Sequence, residues 1–342
     1  MSSIKEIRKV LTAYEAFKTE GRPAALAMVV GVAGSSYRRI GARLLVADDG
    51  RCVGGISGGC LEGDALRRAR TAIFAGKPSV RVYDTLEGED KVIGIGLGCN
   101  GRIEVLFQPL DYAADNALEQ LARLDLTRDN LLLHAADGGS VSADERSALA
   151  NSGALDEVGA SGKSKLFPVA GRPILVEHLA APLHLYVVGH NYDLPPLLAQ
   201  CQLLGWDVTL VGPIAKYERA QTSQAIAVIP DADLPSVSFT NRDAVVVITH
   251  DYNRDLRLLQ ELLLAPPAYL GLLGPRKRFR QLAVDLQRPD LPEAEFIYAP
   301  IGLDLGALDP YEIAVAVVAE VMAWRRGRQG TYLRERVGSI HE

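Results

Sequence analysis

The chain has 342 residues, 48% of them hydrophobic, and a formal net charge of −5. That length predicts about two domains of ordinary size. The acidic balance argues against nucleic acid as a partner, and no apolar run reaches the ~18 residues of a membrane helix.

Four cysteines in a chain this long are no disulfide framework, and neither CxxC nor HExxH spacing occurs, so no metal site is expected. The first ten residues are too charged for a signal peptide, and a reduced, cytoplasmic protein is the expectation. Ile4, Ile7, Val10, Leu11, Tyr14 and Phe17 recur at helical spacing over residues 4–20. A strand over 24–32 follows, then a polar loop from Gly34 to Gly41. Residues 42–47 and 51–56 form a hairpin around the turn signal Asp48-Asp49-Gly50.

The stretch Gly54-Gly-Ile-Ser-Gly-Gly-Cys-Leu-Glu-Gly63 is a glycine-rich loop that delivers Cys60 to the start of a helix over 65–76. Glycines let backbone N–H groups approach a ligand. A helix start attracts anions and favours thiolate. The competing reading is a tight turn with a small buried cysteine. Strands over 80–84 and 101–108 flank a second glycine-rich segment, 93–101, which holds Cys99 and Asn100. A first domain is therefore expected over 1–110. Residues 111–182 read as a connector, with a helix over 115–124, a strand over 130–135 and a mobile excursion over 137–165.

From Leu183 the pattern changes. Apolar strands over 185–188, 207–211, 225–229, 244–249 and 268–273 alternate with helices over 197–204 and 256–264. Asp309-Pro310-Tyr-Glu312 supplies an N-cap, a proline at the first helical position and a capping-box glutamate for a last helix. The fold class is α/β: an N-terminal mixed α/β domain followed by a Rossmann-like, doubly wound parallel sheet over 183–342.

The first strand of that sheet ends in Gly189-His190-Asn191, and the later glycines of G-x-G-x-x-G are replaced by Asn191 and Leu194. The second strand ends Val211-Gly-Pro213, without the acidic residue that holds a ribose. Ordinary NAD binding is therefore not expected. Other strand ends are richer. His250 and Asp251 follow the most apolar strand, with Asp251 readable as a ligand contact or as a helix cap. Arg276 and Lys277 stand at a helix start, where cations oppose the dipole; an anionic ligand or a solvated face would explain them. Gly302 and Asp304 lie in a third glycine-rich loop. In the first domain, Ser35, Ser36, Arg38 and Arg43 surround the Gly34–Gly41 loop, and Gly58, Gly59, Cys60 and Glu62 belong to the Cys60 loop. Cys60 and Cys99 are candidates for one shared pocket, or are two ordinary thiols packed together.

Gly34-Ser-Ser-Tyr-Arg-Arg-Ile-Gly-Ala-Arg43, Gly58-Gly-Cys-Leu-Glu62, Leu97-Gly-Cys-Asn-Gly101, Thr249-His-Asp251, Gly271-Leu-Leu-Gly-Pro-Arg276 and Pro300-Ile-Gly-Leu-Asp-Leu-Gly306 occur in that order. Together they make a chain that resembles the XdhC/CoxI family, the xanthine dehydrogenase accessory proteins. The resemblance implies a factor that transiently binds the molybdenum cofactor, as molybdopterin or its dinucleotide form. It also implies support for sulfuration, with a cysteine desulfurase or other sulfur donor, and delivery to an apo molybdenum hydroxylase. A homodimer is the expected assembly, and the site residues named above are the expected cofactor contacts. An NAD(P)-dependent oxidoreductase is the alternative.

Overall fold

Helix α1 (Ile4–Thr19) begins at a capping box in which Ser3 and Glu6 satisfy each other's backbone N–H groups. Its buried face is Ile4, Ile7, Val10, Tyr14 and Phe17. The computed structural model describes residues 3–34, 36–84 and 101–337. They fall into two units, Met1–Ala181 and Pro182–Glu342.

In the first unit, β1 (Ala24–Gly34), β2 (Arg43–Ala47), β3 (Cys52–Gly54), β4 (Ser79–Asp84) and β5 (Gly101–Pro109) form an antiparallel sheet in the order β3-β2-β1-β5-β4. Helix α2 (Glu62–Ala75) lays Ala65, Ala69 and Ala72 on one face, against Leu44, Val46 and Phe107. Leu45 and Ala47 point the other way and pack with α1. A two-residue period with both faces covered explains why every residue of β2 is buried.

The stretch expected to be a connector folds with this unit. Helix α3 (Ala117–Ala122), β6 (Asn130–Ala135), α4 (Ala143–Asn151), α5 (Ala154–Ser161), β7 (Lys165–Val169) and β8 (Arg172–Leu179) build a second layer around an antiparallel sheet, β6-β8-β7. Leu118, Leu121, Leu132 and Leu179 pack with Leu26 and Leu45, and Leu175 and Ala136 pack with Met28 and Leu106. Residues 137–165 include α4, whose start is a capping box of Ser142 and Glu145.

The second unit contains β9 (His184–Val188), α6 (Leu194–Leu204), β10 (Asp207–Val211), α7 (Arg219–Thr222), β11 (Ala227–Ile229), β12 (Asp243–Val247), α8 (Tyr252–Leu262), β13 (Leu270–Leu272), α9 (Arg276–Asp285), β14 (Ile297–Tyr298) and α10 (Pro310–Arg325). The sheet order is β11-β10-β9-β12-β13-β14, and each neighbouring pair is parallel. This is the Rossmann order, with its switch point between β9 and β12. Val188 pairs with both Val211 and Val247, so the three central strands end level. Helices α6 and α10 cover one face, and α8 and α9 the other. No helix among the described residues is long and apolar enough to cross a membrane.

Candidate functional site

The Cys60 loop is held by a carboxylate. Glu62 Oε1 accepts from the Ile56 and Ser57 N–H groups at 3.2 and 2.8 Å, and Oε2 accepts from the Ser57 hydroxyl. Burial works to raise the Glu62 pKa, but these hydrogen bonds outweigh it and hold the carboxyl below its usual range. Ser57 Oγ in turn accepts from Gly59 and Leu61 N–H at 3.1 Å each. Gly54 is at φ +97, and a Cβ there would lie 2.3 Å from the Arg43 carbonyl oxygen, so only glycine fits. The ring of Tyr37 flanks Gly58. Cys60 stands just ahead of α2 with its thiol 3.6 Å from Ser57 Oγ, and it is exposed, not packed away.

Beside this loop lies an open pocket of about 320 Å³ lined by Glu6, Lys9, Arg38, Gly54, Gly55 and Ser57. Arg38 meets Glu6 at 2.9 Å, while its Nε is buried with no hydrogen-bond partner among the described residues. Lys9 forms no ion pair among the described residues and projects from α1. The pocket lining therefore carries two cations against one carboxylate, Glu6, beside a loop whose own carboxylate, Glu62, is taken up by Ile56 and Ser57. Lys9 and Glu6 escape sequence reasoning because they belong to an ordinary amphipathic helix and reach the loop only through the fold. Ser36 supports the Gly34–Gly41 loop, which carries Arg38, by donating to the Arg38 carbonyl at 2.7 Å. Ser35, Cys99 and Asn100 lie outside the described residues, and so does any pairing of Cys60 with Cys99.

Arg43 turns inward. Its guanidinium is 2% exposed and grips the fully buried Glu177, Nη1 to Oε1 at 2.8 Å and Nη2 to Oε2 at 2.5 Å, with a further bond to the Gly41 carbonyl at 2.7 Å. His134 Nε2 adds a contact to Glu177 Oε2 at 2.9 Å. Burial alone would raise the Glu177 pKa; the Arg43 charge and the His134 hydrogen bond reverse this and bring it to about 2. Arg43 thus ties the loop's sheet to β8 and is spent inside the core. This pair also escapes sequence reasoning, since its partners are 134 residues apart.

In the second unit, Gly189, His250, Arg276 and Gly302 follow β9, β12, β13 and β14 and so belong to the carboxyl edge of the parallel sheet. Gly189 is at φ +136, where a Cβ would meet the Ile248 backbone at 3.1 Å. His250 is a non-glycine residue at φ +56, and its Nε2 lies 2.7 Å from Asp193 Oδ2, directly across the switch point. Asp251 caps α8 by accepting from Arg254 N–H at 3.0 Å. The buried Asp255 accepts from Thr249 Oγ1 and from Arg278 at 2.5 Å. Its burial outweighs both bonds and leaves its pKa raised. Arg278 thus turns in, while Arg276 and Lys277 stay exposed at the start of α9. Gly302 N–H donates to Glu320 at 2.9 Å, and Asp304 is exposed.

The start of α6 is poor in anion donors. Pro195 and Pro196 carry no N–H. Asp193 N–H and Leu194 N–H already donate to Asn191, at 3.1 and 3.2 Å. Asp193 adds a carboxylate where a pyrophosphate would sit in a Rossmann nucleotide site. At the end of β10, the space over Gly212 is filled by Arg254 and the Tyr217 hydroxyl, each 2.8 Å from where a Cβ would stand.

Residues 185–321 match the family model described as the XdhC Rossmann domain, and residues 18–84 match that of the XdhC and CoxI family. A Bacillus subtilis protein named as a probable component of xanthine dehydrogenase is 29% identical over 335 residues, covering 92% of this chain and 97% of its own. The Escherichia coli molybdenum cofactor insertion chaperone PaoD is 27% identical over 313 residues, 89% of this chain and 84% of its own. The crystal structure of a protein described as a xanthine dehydrogenase from Bacillus halodurans superposes with a TM-score of 0.74 at 25% identity, covering 95% of this chain and 98% of that one. With one family model matched in each unit and relatives similar from end to end, the chain belongs to the XdhC and CoxI family.

Proposed function

We propose that this chain is a maturation factor that binds the molybdenum cofactor, holds it for sulfuration and inserts it into a molybdenum hydroxylase of the xanthine dehydrogenase type. A cysteine desulfurase or other sulfur donor is the second partner in this reading. The observation that carries it is the pocket at the Cys60 loop, where Lys9 and Arg38, with its unpartnered Nε, line the same space as Ser57, whose hydroxyl the exposed Cys60 thiol contacts at 3.6 Å. The cofactor is an anionic pterin with a phosphate and a dithiolene, and these groups fit it. When bound, it supplies the molybdenum centre that the client enzyme uses. Lys9 and Arg38 would bind its phosphate, Glu62 keeps the loop in place, and Cys60 offers sulfur chemistry at the pocket's edge. The name of the PaoD relative supports the same reading.

An NAD(P)-dependent oxidoreductase is the competing reading. The donor-poor start of α6, the Asp193 carboxylate and the filled space over Gly212 all speak against it.

The test is the molybdenum and pterin content of the chain purified from cells that make the cofactor. The wild type is expected to carry both. Lys9→Ala with Arg38→Ala should weaken retention by about tenfold or more, the usual consequence of losing charge-assisted hydrogen bonds. Cys60→Ala should lower retention while leaving the fold intact. A wild-type chain that binds no pterin but takes up NAD and transfers hydride would replace this reading with its competitor.

A further inference from the structure

The first unit holds a second pocket, of about 340 Å³, that the maturation reading leaves unused. This volume lies within the range of small-molecule sites, about 300–1,000 Å³. Met28, Leu106 and Leu133 give it apolar walls, and Gln108, His134 and Arg146 give it polar ones.

Glu177 settles which nitrogen of His134 donates to it. Glu177, its neighbour at 2.9 Å, is an ionised carboxylate and can only accept a hydrogen bond. His134 must therefore donate from Nε2. In its uncharged form such an imidazole has a lone pair on Nδ1, and no described residue hydrogen-bonds that atom. Arg43 already matches the Glu177 charge through two bonds, so the histidine is not needed for neutrality. The series Arg43–Glu177–His134 instead fixes an acceptor at the pocket wall, as a carboxylate does for a ligating or catalytic histidine.

Arg146 supplies the opposite character. Its Nε reaches the Val141 carbonyl at 3.4 Å, and its guanidinium has no acidic partner among the described residues. Asp115, on the same rim, is already paired with Arg123. Gln108 donates to the Gly138 carbonyl at 3.3 Å, and its own oxygen accepts from none of the described residues, which leaves a second acceptor. The turn between them is rigid, because Arg172 holds Asp137 at 2.9 Å and Glu145 at 3.0 Å.

We propose that this pocket binds a small, flat organic anion bearing N–H donors. The acidic group meets Arg146, an N–H meets His134 Nδ1, and the ring lies against Met28 and Leu106. The proposal is independent of cofactor handling at the Cys60 loop.

Calorimetry on the full chain tests it with three probes. Orotate has a carboxylate and ring N–H groups. Uracil has the N–H groups without the charge, and benzoate has the charge and a flat face without the N–H groups. Orotate is expected to bind about tenfold more tightly than either. Arg146→Gln, at an exposed position that does not threaten the fold, should bring orotate down to the level of uracil. His134→Phe, which has no acceptor, should bring it down to the level of benzoate. If the buried His134 variant does not fold, the Arg146 variant decides alone. No heat with orotate at millimolar concentration, or equal orotate affinity in Arg146→Gln, would overturn the proposal.

Discussion

A carboxylate without access to water persists only when its charge is answered on the spot, and Glu177 has Arg43 on both oxygens and His134 on one. Gly41 makes room for this, since a Cβ there would stand 2.3 Å from Glu177 Oε1. The folded pKa of Glu177, about 2, lies below its ordinary value of 4.5. The folded state therefore releases this proton more readily than the unfolded chain does. The resulting stability is fully present above the unfolded pKa and is lost as pH falls from there toward 2. Glu177→Gln leaves the Arg43 charge buried without an answer, which costs about 3–5 kcal/mol. Urea unfolding should show that deficit at neutral pH, and the gap to wild type should narrow as pH drops below 4. Equal midpoints at pH 7 would mean that the pair contributes nothing net to stability.

The elements differ in how far local pattern betrays them. Asp251 caps α8, and a cap is a local feature. Asp251→Ala should cost about 1 kcal/mol by thermal or urea unfolding, the ordinary loss of a cap. Cofactor retention should be unchanged; a large loss of retention with little loss of stability would make Asp251 a ligand contact instead. The central strands were legible because β12 is apolar from Ala244 to Val247, and α10 because Asp309 and Pro310 mark its start. In the layer over 111–181 the expected helix over 115–124 and strand over 130–135 stand as α3 and β6, but the elements after them were not legible. Helices α4 and α5 bury only narrow faces around Leu149, Ala154 and Val158, too few apolar positions for a helical period to stand out. Strand β8 buries Glu177 and His178 among its aliphatic residues, so charge hides a core strand. The glycine loop at Cys60 could be read from sequence, whereas Lys9 at its pocket and the His134–Glu177 contact arise from pairings that no window along the chain contains.

At the scale of the whole molecule, those same pairings decide where the chain can be divided. The second unit, Pro182–Glu342, has its own parallel sheet with helices on both faces and two apolar clusters drawn from its own residues. Expressed alone, it should fold. The first unit should fold as 1–181 but not as 1–110. Truncation at 110 removes Leu118, Leu121, Leu132, Leu175 and Leu179, and so uncovers Leu26, Met28, Leu45 and Leu106. Each large aliphatic side chain returned to water forfeits about 1.5–3 kcal/mol. Four of them approach or exceed the net stability of a typical domain, about 5–15 kcal/mol, before Arg43 is counted without Glu177. Circular dichroism and urea titration of the three fragments would measure this. Cooperative transitions are expected for 1–181 and 182–342, and a broad, non-cooperative response for 1–110. A sharp transition in 1–110 would show that the five-stranded sheet with its two helices is self-sufficient and that the 111–181 layer is an addition to it.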